Sequence, residues 1–116
     1  MYYTEEQKLC ISALLISIIS AEQPISDKLQ ECLVDILSKD LKLPTSLFGK
    51  IREITNERLD KVVREFSVIE VNDISKLIGK LMILELNDVK DDLDKFYKSK
   101  RIGAWLAVMK KLGKYR

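Results

Sequence analysis

The stretch Leu9 to Ile19, LCISALLISII, constrains this chain more than any other, because only Ser12 and Ser17 interrupt its apolar run. It falls short of the roughly 18 to 20 apolar residues needed to cross a bilayer. Such a segment is a helix apolar on almost every face, and it has to be surrounded by other helices to stay out of water. Thr4 offers it an N-cap, and Glu5 and Glu6 place acids in the first turn, where they favour the helix dipole. No basic stretch precedes the run and no convincing small-residue cleavage site follows it. The expectation is a cytoplasmic protein without a secretory leader.

The rest of the chain supplies the surrounding helices. Ser26 can cap a second helix whose Leu29, Cys32, Leu33, Ile36 and Leu37 fall at i, i+3, i+4, i+7 and i+8, and which should end near Leu43, before Pro44. Leu47, Phe48, Ile51 and Ile54 predict a short helix over 45–54, weakened by Gly49. Asn56 can cap a helix over 57–69 with Leu59, Val62, Val63 and Phe66 inside, while Glu57 and Lys61, Asp60 and Arg64, and Lys61 and Glu65 can pair outside.

Residues 74–86, ISKLIGKLMILEL, form a second helix apolar nearly all round, with Asn72 or Asp73 as its cap and SVIEV before it taken as helix end and loop. Beyond a turn at Asn87 and Asp88 come Leu93, Phe96 and Tyr97. Ile102, Trp105, Leu106, Met109 and Leu112 then form one stripe of a last helix, or of a broken pair jointed at Gly103. The fold expected is all-α: one compact bundle of five to seven helices over residues 1–116, built from two similar helical halves, with the helices near 9–19 and 74–86 at its centre.

A chain of 116 residues can bury such a core without disulfides or metal staples. Cys10 and Cys32 lie in apolar stretches with no CxxC pattern, so both are expected as free thiols. Histidine is absent. That removes the usual general base near neutral pH, the Ser/His and Cys/His nucleophiles and imidazole metal sites, and no glycine-rich phosphate loop or catalytic motif takes their place. The chain is therefore not expected to be an enzyme.

The first turn, Ala21-Glu22-Gln23-Pro24-Ile25-Ser26, resembles the hallmark of the tellurite-resistance TerB-like domains. In that family an apolar helix ends in Ala-Asp-Gly, followed by a variable residue, a hydrophobe, Ser or Asp, and a later Glu. The match lies at Ala21, Ile25 and Ser26, with Glu22 where the family has its first acid, whereas Gln23 replaces the glycine and Leu29 the later Glu. Leu86-Asn87-Asp88-Val89-Lys90-Asp91 would be a second copy with a shortened turn. The resemblance implies a small helical bundle of two halves. It also implies a divalent cation held by acids of the two turns, here Glu22, Asp27, Asp88, Asp91 and Asp92. Against that, Asp27 suits the helix dipole where it stands, and Asp91 and Asp94 precede Lys95 and Lys98 by four residues, the favourable order for pairing.

Charge is unevenly spread. From Lys95 onward lie eight of the 20 basic residues and none of the 18 acidic ones, which leaves −6 on the body and +8 on the segment 95–116. A basic helical segment of this kind, with Lys98, Lys100, Arg101, Lys110, Lys111 and Lys114 as its contact residues, can steer a partner. The function expected is a non-enzymatic protein-interaction module, an adaptor, inhibitor or regulatory subunit, whose partner is another protein or a second copy of the chain. Nucleic acid or an anionic membrane surface is the alternative partner, and divalent-cation binding the alternative activity. Trp105 is expected in the core, because its helical neighbours are apolar.

Overall fold

A computed structural model describes residues 2–114, except for the side chain of Lys114. Six α-helices run as α1 (Glu5–Ile19), α2 (Asp27–Asp35), α3 (Asn56–Glu65), α4 (Val68–Val89), α5 (Leu93–Lys98) and α6 (Lys100–Lys114), with no strand among the described residues. A π-helical turn, Ile36–Asp40, prolongs α2, and a 3-10 helix, Thr45–Glu53, leads into α3. The all-α bundle is as expected.

Local chemistry sets the boundaries. Thr4 accepts from the Gln7 N–H while the Gln7 side chain accepts from the Thr4 N–H, a reciprocal cap that satisfies two donors at the start of α1. Ser26 caps α2 through the Leu29 N–H. Thr55, rather than Asn56, caps α3. The helix over 57–69 ends early, at Glu65, because Phe66 is extended and Ser67 opens a new helix by the same reciprocal device with Glu70. Thus α4 starts at Val68, not after Asp73, and continues past Asn87 and Asp88 to Val89. The break between α5 and α6 falls at Ser99, not at Gly103.

α1 buries Leu9, Cys10, Ile11, Ser12, Leu14, Leu15, Ile18 and Ile19, and packs against α2, the 3-10 helix, α3 and α6. Ser12 pays no desolvation penalty for an unpaired hydroxyl, since its Oγ donates to the Lys8 carbonyl at 2.7 Å. α4 packs on α2, α5 and α6. It is less enclosed than its sequence suggested: Ile74, Ile78, Leu81 and Met82 are buried, but Val68, Ile69 and Ile83 are exposed. The two apolar helices are not a principal pair; α6 and α2 each pack against both.

The last helix differs in rotation from its predicted stripe. Val108 and Leu112 are buried, Trp105 and Met109 are partly buried against the core, and Leu106 is 60% exposed. At 100° per residue this inner face is turned by roughly 50° from the one centred on Ile102, Trp105 and Met109. Arg101, on the side towards which this face is turned, is itself buried.

Candidate functional site

Glu85 sits three residues after Met82 and four before Val89, on the inward face of α4, and is 3% exposed. A carboxylate at a core position requires partners. Ser99, in the break before α6, donates its hydroxyl to Glu85 Oε1 at 2.8 Å, and Arg101 Nη1 meets Oε2 at 3.3 Å. The guanidinium continues outward: Nε donates to the Ile19 carbonyl at 2.9 Å, and Nη2 to the Glu22 and Pro24 carbonyls at 2.7 and 2.9 Å. Arg101 thereby closes the C-terminal end of α1 and the turn after it, which includes the cis Gln23–Pro24 peptide. Only a planar fork of donors serves four acceptors on one side chain in this way. The Glu22 carboxylate completes the junction by accepting from the Lys100 N–H at 2.8 Å, at the start of α6.

Over this junction lies a cleft of about 470 Å³, with Glu85, Ser99 and Arg101 along its inner wall and Asp94, Lys95 and Lys98 contributed by α5. Asp94 and Lys98 pair at 3.0 Å, one helical turn apart. Within its six residues, α5 therefore turns a charged face towards the cleft. Its other face carries Leu93, 72% exposed, Tyr97, 80% exposed, and Phe96 at the edge of exposure, with the two rings in edge-to-face contact. α5 buries no residue at all. It is an amphipathic helix with its apolar side outward, the reverse of the arrangement that a core dictates.

The acids expected to gather at the two turns do not form one cluster. Glu22 and Asp88 reach the same cleft, but Asp27 is exposed in the first turn of α2, Asp91 is exposed, and Asp92 caps α5 through the Asp94 and Lys95 N–H groups. Among the described residues, no three or more Cys, Asp or Glu side chains are arranged to hold a metal ion. The basic contact residues are divided as well. Lys98, Lys100 and Lys110 are exposed; Lys111 is half-buried and pairs with Asp60 at 2.8 Å; and Arg101 is withdrawn into the core as the partner of Glu85. The Lys114 side chain lies outside the described residues.

The Glu85–Ser99–Arg101 junction and the outward face of α5 were both missed from sequence. Glu85 carried a signal, being a lone charge at a core register of an otherwise apolar helix. For α5 the spacing of Leu93, Phe96 and Tyr97 gives a face but not its direction. No family model matches the chain, and neither curated proteins nor solved structures include a match to it. No helix among the described residues is long and apolar enough to cross a membrane.

Proposed function

We propose that this protein is a non-enzymatic interaction module that recognises another protein through α5. The observation that carries the reading is the outward apolar face of Leu93, Phe96 and Tyr97 on a helix that buries nothing of its own. Contiguous exposed apolar side chains are costly to leave in water, and aromatic anchors are the residues that concentrate binding energy at interfaces. Lys95 and Lys98 on the opposite face of this one short helix, and Lys100 just beyond its end, make this the most basic part of the chain and add a long-range attraction. The partner that fits is a protein surface offering an apolar pocket with carboxylates at its rim, which the lysines attract before contact. The TerB-like resemblance of the Ala21–Ser26 turn is consistent with a module of this size, and the proposal does not depend on it.

The test is affinity capture from the native cell with the wild-type chain and with Leu93→Asp/Tyr97→Asp. Both positions are exposed, so the variant should melt as the wild type does. A specific protein retained by the wild type and lost by the variant, with crosslinks mapping to residues 93–100, is the expected result. Capture of the same proteins by both chains would end this assignment.

A further inference from the structure

Away from α5, three elements enclose an apolar groove of about 440 Å³. α1 contributes Ala13, Ile16 and Ser17, one face of one helical turn, and α2 with its π-helical continuation contributes Leu33, Val34 and Leu37. The 3-10 helix closes the third side with Phe48, Ile51 and Arg52. Seven of these nine residues are apolar, and the volume lies within the roughly 300 to 1,000 Å³ of small-molecule sites. The Ser17 hydroxyl already donates to the Leu14 carbonyl at 2.7 Å, which leaves its oxygen able only to accept. Arg52 is exposed at the mouth, and no ion pair of its guanidinium is present among the described residues.

We propose that this groove binds a small monocarboxylate with an apolar body, seated on Ile16, Leu33, Leu37 and Phe48 with its carboxylate on Arg52. The size of the groove selects a small molecule over a partner helix. α1 and the continuous α2 and π-helical segment each offer the groove only one turn, Ala13 to Ser17 and Leu33 to Leu37. A docked helix needs anchors over two turns, i to i+7, whereas a flexible alkyl chain can run across the groove from one wall to the next. The charge selects an anion: the mouth offers a planar cation with free donors, and a carboxylate matches its fork in two parallel hydrogen bonds. The site shares no residue with the α5 face, so either assignment can fail without the other.

Octanoate and octanol are the probes, the second having the same chain without the charge. Both are titrated into methyl-labelled protein while the Ile, Leu and Val resonances are followed by NMR. Saturable shifts at Ile16, Leu33, Val34 and Leu37 with octanoate, and weaker binding of octanol, are expected. Arg52→Gln should weaken octanoate by about tenfold, the loss of one charge-assisted contact at an exposed site, and leave octanol unchanged. Ser17→Leu, at an exposed position on the groove wall, should abolish both. Shifts that never saturate, equal affinity for the two probes, or an Arg52→Gln variant that binds octanoate like the wild type would overturn the proposal.

Discussion

Replacing Arg101 by Met keeps the apolar stem and removes every donor that the side chain brings to the junction. Glu85, whose side chain is 4% exposed, is left with only the Ser99 hydroxyl, and the carbonyls of Ile19, Glu22 and Pro24 lose their charged donor. Breaking a buried ion pair from one side costs about 3 to 5 kcal/mol, because the remaining charge stays where water cannot solvate it. The Glu22 and Pro24 carbonyls are only partly buried and can turn to water, so they add little. A net loss of about 4 kcal/mol is a large share of the roughly 5 to 15 kcal/mol that holds an ordinary domain together. With a urea slope of about 2 kcal/mol per molar, the unfolding midpoint should fall by about 2 M. Arg101→Lys should fall between, since one ammonium cannot reach both the carboxylate and three carbonyls. Adding Glu85→Gln to Arg101→Met removes the stranded charge and should restore about half of the loss. A midpoint shift below about 0.5 M, or a double variant no better than Arg101→Met alone, would refute the reading of Arg101 and Glu85 as a buried ion pair that ties α6 to α4 and the end of α1.

Four other outcomes can be checked by melting or labelling. Ser67→Ala removes the cap that starts α4 and should cost about 1 kcal/mol in urea unfolding. Trp105→Ala should cost about 2 to 3 kcal/mol, less than a fully enclosed tryptophan, because the ring is only partly buried. The Tyr3 hydroxyl is buried without a hydrogen-bond partner among the described residues, so Tyr3→Phe should be neutral or stabilising by up to about 1 kcal/mol in thermal melts. Burial, with Glu6 adding to it and Arg58 opposing it, pushes the Cys10 thiol from 9.0 up to about 11. Its protonated form therefore supports folding below pH 9, and that support is lost as pH rises towards 11. Melting temperature should decline over that window and decline less in Cys10→Ala, while alkylation at pH 8 should modify the half-buried Cys32 before the fully buried Cys10.

The helices themselves were legible because their signals are local. Thr4 and Ser26 are caps that need only three residues of context, and the spacing of Leu59, Val62 and Val63 marks an inner face without knowledge of what covers it. Ser67 with Glu70 was equally local. It went unrecognised because Val68 and Ile69 continue an apolar pattern across the boundary, and composition there gives no break. The rotation of α6 was out of reach for a different reason. Counting apolar residues puts Leu106 inside and Arg101 outside, whereas the acceptors that draw Arg101 inward lie 77 to 82 positions earlier, apart from Glu85. Lys111 was assigned to a partner because it stands in a basic segment without an acid, and its carboxylate, Asp60, is visible only once α3 and α6 are side by side. For the groove, Leu33 and Leu37 were read as part of one stripe, Phe48 and Ile51 as part of another and α1 as apolar nearly all round, but a space between three elements belongs to none of them.

The Arg101 junction also has a bearing on when the chain can finish folding. Synthesis delivers α1 first and α6 among the last of these elements, yet α6 is the helix that packs on both α1 and α4. Until residues 100–114 have been made, the end of α1 has no guanidinium to meet its carbonyl, Glu85 has no counter-charge, and the apolar flanks of α1 and α4 that α6 covers face solvent. A nascent chain halted before Lys100 would present those surfaces to chaperones and proteases in place of a nearly folded domain. Closure of the bundle thus waits for residues 100–114 and is fastened by one side chain that reaches back to carbonyls 77 to 82 positions earlier.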